Sequence, residues 1–325
     1  MLKYQRSPVT VSNDMNRKII IIVGPTAVGK TEYAIKAAQD FNGEIVSADS
    51  MQLYKFMDIG SAKPTAEEQA AARHYLVDEI DPRDDFSVAE YSRLAKKYIN
   101  MIFDKGKLPV VSGGTGLYVN SLMYDMDFAS APKDMEEREK LRAYLAENGP
   151  EKLHDILKSE DPSAAERIHP NNTKKVIRAI EAARTGNPIP SFERSFKRTQ
   201  EYEYLLIGLD RDRQELYDRI NMRVNIMIDA GLENEIKQLM NLGLSSDNIS
   251  MKGIGYKEMI AYFDGEYGRD EAIELVKRNS RRYAKRQLTW FRRYDDIHWF
   301  DLTAGAVGEY ERMKELIRAF LAGEH

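Results

Sequence analysis

The feature that most constrains this chain is the octet Gly24–Pro25–Thr26–Ala27–Val28–Gly29–Lys30–Thr31, spaced G-x-x-x-x-G-K-T. A β-branched run, Lys18–Ile19–Ile20–Ile21–Ile22–Val23, precedes it, and Glu32–Tyr33–Ala34–Ile35–Lys36–Ala37–Ala38 follows with helical character. Strand, glycine loop and helix in that order make a phosphate site. The glycines let the loop curl so that successive N–H groups face one concavity, and the helix adds its positive end. Lys30 supplies a point charge, and the Thr31 hydroxyl suits Mg²⁺. A plain glycine turn with a solvated lysine is the competing reading, and the flanks disfavour it. The loop does not say which phosphate compound is held or which bond breaks.

The 325 residues suffice for one large domain or two ordinary ones. With no cysteine, disulfides, thiolate catalysis and thiolate zinc sites are excluded. No apolar stretch approaches the ~20 residues that span a bilayer, and residues 1–17 read as a polar, flexible N-terminal tail without a secretory apolar core. Met15 could serve as an alternative start. These features fit a cytoplasmic protein with no membrane partner. The net charge of −4 does not imply nucleic acid, so any such partner must rest on a local patch.

Glu44–Ile45–Val46–Ser47–Ala48 reads as a second strand, and Asp49–Ser50–Met51–Gln52 follows it. Ligands of parallel sheets bind beyond the carboxyl ends of strands. Asp49 is therefore a candidate metal partner or general base, with a helix N-cap or loop carboxylate as the bland alternative. Further strands are expected at His74–Val77, Leu108–Ser112, Tyr202–Leu209 and Ile297–Phe300. Ser87 is a candidate N-cap for a helix running to about Lys105. Gly113–Gly114–Thr115–Gly116 closes the Leu108 strand as either a second close-approach loop or a simple turn.

From Lys133 to about Phe196 the chain is charged and helical. This suggests an all-helical subdomain, residues 131–198, inserted into a parallel α/β core of residues 18–130 and 199–325. Lys174, Lys175 and Arg178 share one of its helices, by default as solvated surface. Arg219 and Arg223 are spaced i, i+4 and share a face of a later helix. Met251–Lys252–Gly253–Ile254–Gly255–Tyr256–Lys257 is glycine-rich, basic and aromatic. Within Lys277–Tyr294, eight of eighteen residues are Lys or Arg, none is acidic and four are aromatic. Such a stretch suits phosphate-backbone contact or, more blandly, a solvated helix face.

A phosphate loop in a single-sheet core leaves three classes open: a small-molecule or nucleotide kinase, a motor or switch NTPase, and a transferase holding a diphosphate leaving group. The motifs together narrow this. The phosphate loop, Ser47–Tyr54, Met57–Pro64, Gly113–Tyr118, His169–Pro170–Asn171–Asn172, Gly255–Tyr256 and Lys285–Arg292, in that order, resemble the bacterial tRNA dimethylallyltransferases (tRNA isopentenyltransferases) from about Lys18 to Phe300.

That resemblance implies a P-loop NTPase-like fold and transfer of a dimethylallyl group. The group would pass from dimethylallyl diphosphate to N6 of the adenosine just 3′ of the anticodon. The resemblance further implies that Gly24, Pro25, Thr26, Ala27, Val28, Gly29, Lys30 and Thr31 grip the diphosphate rather than ATP, with Mg²⁺ near Thr31. Arg223 matches an arginine that contacts the diphosphate, and Asp49 would accept from the adenine amino group. Asp49, Ser50, Met51, Gln52, Thr115, Arg138, Lys174, Lys175, Val176, Ile177, Arg178, Lys252, Gly253, Ile254, Gly255, Tyr256 and Lys257 match tRNA-contacting positions. The partners implied are the tRNA anticodon stem-loop and dimethylallyl diphosphate, acting on a monomer. The family often has arginine where Lys252 and Lys257 stand, and lysine keeps the charge without the bidentate fork. Eukaryotic members carry a C-terminal zinc finger; a cysteine-free chain has none of that type.

Overall fold

The computed structural model describes residues 17–126, 135–186, 197–303 and 308–324. The tail expected over 1–17 is almost entirely outside these ranges, as are the expected junction near residue 130 and the start of the last helix at Val307. Two compact units are present, one of residues up to 123 and from 199 onward, the other of residues 124–198.

The first unit is built on β1 (Lys18–Val23), α1 (Lys30–Asp40), β2 (Gly43–Ser47), α2 (Ala66–Ala71), β3 (His74–Tyr75), α3 (Val88–Asp104), β4 (Leu108–Gly113) and α4 (Gly116–Met123). All six residues of β1 are buried. A β-branched strand hidden on both faces belongs in the middle of a parallel sheet covered by helices. Ser87 accepts from the Glu90 amide while the Glu90 carboxylate accepts from the Ser87 amide, so α3 starts at a capping box and ends where expected. The strand expected over His74–Val77 stops at Tyr75, because Leu76 turns to φ 59° and leaves the extended region.

In the second unit, α5 (Met135–Glu160), α6 (Pro162–Arg167) and α7 (Thr173–Arg184) form a helical cluster. Gly149 interrupts α5 at φ 79° and Pro150 restarts it. Asp161 caps α6 through the Ala164 amide at 2.9 Å. Leu141, Leu153, Leu157, Val176 and Ile180 fill its core.

The first unit resumes with β5 (Glu203–Asp210), α8 (Arg213–Asp229), α9 (Leu232–Asn241), a 3-10 turn at Ser250–Lys252, α10 (Tyr256–Phe263), α11 (Arg269–Phe291), β6 (His298–Asp301) and α12 (Glu309–Ala322). The six strands pair in parallel in the order β3-β2-β4-β1-β5-β6. Pro109 lies in β4 opposite Glu44, one residue before pairing with β1 begins at Ile20–Val110, so its missing N–H removes no bond there. The register sets Val23 against Gly113 and Ser47 against Ser112. The loops leaving β1, β2 and β4 therefore emerge side by side at one edge of the sheet. Among the described residues no helix is long and apolar enough to cross a membrane.

Glu44 is buried within this sheet, where its carboxylate accepts from Tyr75 Oη at 2.7 Å, Lys107 Nζ at 2.8 Å and Lys105 Nζ at 2.9 Å. Burial alone would raise its pKa, but these three donors hold it at about 2. A glutamate in the unfolded chain titrates near 4.3, so the carboxylate stabilises the fold above about pH 5 and loses that contribution as pH falls toward 2. Both lysines are partly exposed, which screens the interaction. Glu44→Gln is expected to lower the free energy of urea unfolding by about 2 kcal/mol at pH 7. The gap to the unaltered protein should narrow at pH 3.

Candidate active site at the carboxyl edge of the sheet

The phosphate loop leaves β1 at Gly24, where φ is 155° and a Cβ would meet the Leu209 carbonyl at 2.6 Å, so only glycine fits. Ala27 takes a left-handed φ of 64°, and Gly29, at φ 116°, caps α1 without a side chain. The first N–H groups of α1 are thus left for a ligand. Two arginines tie back the loop's carbonyls: Arg219 Nε donates to Ala27 O and Arg211 Nε to Val28 O, each at 2.9 Å. Lys30 Nζ donates to Pro25 O at 2.8 Å.

The cations at this loop are poorly compensated. Burial pushes the Lys30 ammonium down to about 8; the Asp49 charge opposes that shift and Arg223 adds to it. Arg223 is also lowered, first by burial and then by Arg219, with Glu68 and Asp49 pulling the other way. Among the described residues the Arg223 guanidinium makes no hydrogen bond or ion pair. Lys30, Arg223 and Asp49, all half-buried, and the exposed Arg219 therefore share one field with more positive than negative charge. An anion answers that imbalance.

Asp49 leaves β2 beside the loop. Its Oδ1 accepts from the amides of Met51 at 2.9 Å and Gln52 at 3.4 Å. The turn role and the chemical role expected of it are thus compatible, since Oδ2 has no partner among the described residues. Thr115, leaving β4, binds the same segment twice: its N–H donates to Ala48 O at 3.1 Å, and its Oγ1 accepts from the Ser50 amide at 3.0 Å. Gly113 permits this, because a Cβ there would overlap the Ala48 backbone. Gly113–Gly114 is therefore a close-approach loop rather than a simple turn.

The segment Ser50–Gln52 is linked onward. Gln52 Nε2 donates to Ala62 O at 3.1 Å, and a Cβ on Gly253 would lie 2.6 Å from Met51 Cε. Tyr256 is buried, its ring filling the space left by Gly60, and its hydroxyl donates to Glu235 at 2.8 Å. Glu235 also accepts from the amides of Asp58, Ile59 and Gly60 at 2.8, 2.7 and 3.0 Å. One carboxylate thus joins the Met57–Pro64 loop to the Lys252–Lys257 segment. Gly255 is buried, Gly253 and Ile254 are half-buried, and Lys252 and Lys257 are exposed.

In the helical unit, Lys174, Lys175 and Arg178 are exposed on α7, while Val176 and Ile177 are buried in its core. A role for those two in RNA contact is confined to their backbone. Arg138 there is already bidentate on Glu181, at 2.6 and 2.7 Å.

Four site residues escaped the sequence reading: Arg211, Glu235, Tyr283 and Gln287. Tyr283 lies on α11 against Thr115 and Gln287; burial raises its phenol to about 12, and the Asp49 charge pushes the same way. Gln287 Oε1 accepts from the Thr26 amide at 2.8 Å, and its Nε2 donates to Gly114 O at 2.9 Å. The prior signals were the place of both in the basic aromatic helix and, for Gln287, the Lys285–Arg292 motif. Along α11, Ala284, Gln287 and Phe291 face the core, while Arg278, Arg282, Lys285 and Arg286 are exposed. Among the described residues these four have no ion pair. No group of three or more His, Asp or Glu able to hold a metal occurs among the described residues either.

Comparison with known proteins gives the family. Residues 52–294 match the family model described as IPP transferase. The tRNA dimethylallyltransferase of Alkaliphilus oremlandii is 54% identical over 290 residues, 89% of this chain and 93% of that one. The enzyme of the same name from Clostridioides difficile is 54% identical over 298 residues, 92% and 94% of the two chains. The crystal structure of the tRNA isopentenylpyrophosphate transferase of Bacillus halodurans superposes with a TM-score of 0.72 at 44% identity, covering 95% of this chain and 98% of that one. A eukaryotic dimethylallyltransferase crystallised acting on tRNA gives a TM-score of 0.82 at 28% identity, covering 95% and 80%. The chain belongs to the IPP transferase family.

Proposed function

We propose that this protein transfers a dimethylallyl group from dimethylallyl diphosphate to N6 of the adenosine just 3′ of the anticodon in tRNA, releasing diphosphate. The observation that carries the reading is the Asp49 carboxylate, with one oxygen unpartnered among the described residues, in the field of Lys30 and Arg223 at the phosphate loop. An allylic diphosphate ionises at its C–O bond, and negative charge builds on the departing oxygens. Arg223 and the loop amides, together with Lys30 once it leaves the Pro25 carbonyl, would stabilise it. The adenine amino group is a weak nucleophile. Asp49 Oδ2 would accept its proton as the N6–C bond forms and the C–O bond breaks, so the charges balance.

A Mg²⁺ ion fits this donor set only if the substrate supplies most of its ligands. Thr31 offers a hydroxyl at the start of α1, and among the described residues no cluster of three or more carboxylates or histidines is placed to hold a metal. When bound there, the ion would neutralise diphosphate charge.

The adenine must leave its stack to reach Asp49. Ser50–Gln52, Thr115, Lys252–Lys257 and, in the helical unit, Arg138 and Lys174–Arg178 are the proposed tRNA contacts. Exposed arginines and lysines of α11 would meet phosphates. Basic and aromatic segments suit an anticodon loop, which is read through splayed bases and backbone.

Incubation with labelled dimethylallyl diphosphate and unmodified tRNA is expected to label the RNA; ATP-dependent phosphorylation of a nucleotide with no label in RNA would refute the proposal. Asp49→Ala should lower kcat by about 10² to 10⁴ while changing tRNA affinity far less, as read by single-turnover kinetics and filter binding. Equal activity in that variant would remove Asp49 from the chemistry.

The Lys30 ammonium is the form that binds an anion. With a free-protein pKa of about 8, diphosphate affinity should hold below that pH and fall by up to about tenfold per pH unit above it. Calorimetry from pH 7 to 9.5 measures this. Lys30→Arg, charged throughout, should abolish the break near pH 8.

A further inference from the structure

The side chain of Gln287 is buried in α11, 4% exposed, at a point where two loops of the site meet. Its amide is used from both ends: Oε1 takes the Thr26 N–H of the phosphate loop, and Nε2 gives a hydrogen bond to the Gly114 carbonyl of the loop after β4. A buried amide satisfied on both sides holds its partners at a fixed separation, since losing either bond strands a polar group out of water. The fit is tight as well as polar. A Cβ on Gly114 would overlap the Gln287 amide, and a Cβ on Gly116 would overlap the Trp290 indole one turn along the helix. The Thr26 amide lies on the β1 side of the loop, ahead of the amides of Ala27 to Thr31, so Gln287 occupies none of the donors nearest the start of α1. Its immediate neighbours, Lys285 and Arg286, are exposed cations.

We propose that Gln287 is a positioning residue for the reaction: it locks the phosphate loop to the Gly113–Gly116 loop, and so sets the diphosphate cradle relative to Asp49 and Thr115 from a helix that also presents basic side chains to RNA. The proposal rests on the reading of the phosphate loop as a diphosphate cradle. Gln287 touches neither reacting atom. Its loss acts on the donors that do.

Gln287→Met keeps the length and approximate volume of the side chain and removes both hydrogen bonds, so it separates positioning from packing. Calorimetry with inorganic diphosphate is expected to show affinity at least tenfold weaker in this variant. The KM for dimethylallyl diphosphate should rise by a similar factor, and tRNA affinity should stay within twofold. Gly114→Ala should reproduce the diphosphate defect by displacing the Gln287 amide. Combining Gly114→Ala with Gln287→Ala, which vacates the space, should be no worse than Gln287→Ala alone. Diphosphate affinity within twofold of the unaltered protein in folded Gln287→Met overturns the proposal, as do strictly multiplicative defects in the Gly114/Gln287 pair. Failure of the unaltered protein to bind diphosphate overturns the underlying reading and this inference with it.

Discussion

Lys30 and Arg223 act on one another from half-buried positions, and Asp49 is the negative charge that acts on both. Left to themselves such cations repel and lose hydration, which depresses both. The surrounding structure keeps them there regardless. Arg223 is carried on α8, whose preceding turn sends Arg219 to the Ala27 carbonyl, and Lys30 is fixed by its place as the first residue of α1. The resulting excess of positive charge is the physical basis for proposing that the loop takes a highly charged anion. Under the proposed reading, that field would stabilise the charge that builds on a departing diphosphate.

The parallel register delivers the remaining parts. With Val23 opposite Gly113 and Ser47 opposite Ser112, three strands end level, and the groups that follow them are neighbours without long excursions of chain. Glycines at 113, 114 and 116 then allow backbone to lie against backbone or against α11. The candidate site is therefore assembled from strand ends and helix starts, where ligands of open parallel sheets bind. Glu235 extends the same order outward, holding the Met57–Pro64 loop and Tyr256 with one carboxylate.

Local pattern made much of this legible. The phosphate loop declares itself by spacing, the strands by β-branched runs, Ser87 by its capping box, and Asp49 by following a strand. Strand limits shift by a residue or two, and His74–Val77 shortens because left-handed backbone at Leu76 has no signature in a leucine side chain. Gln287, Glu235 and Arg211 could not be read in the same way. Thr26 and Gln287 are 261 residues apart, and Glu235 meets Asp58 across 177. No local rule pairs residues at that distance. The basic helix drew attention to its charges, whereas the residues that reach the site, Tyr283 and Gln287, are uncharged and inward-facing. Val176 and Ile177 show the converse: within a basic run they face the helical core, as 3.6-residue periodicity demands.

The arginine bonds to the Ala27 and Val28 carbonyls bear on the entropy of binding. A glycine-bearing loop is ordinarily free to wander, and ordering it on a ligand consumes part of the interaction energy. Here the curl is held through its carbonyl side. Under the proposed reading, an incoming anion would have little loop to immobilise, and the Lys30 ammonium would leave the Pro25 carbonyl to meet it. The cradle behaves as a socket with a single moving prong.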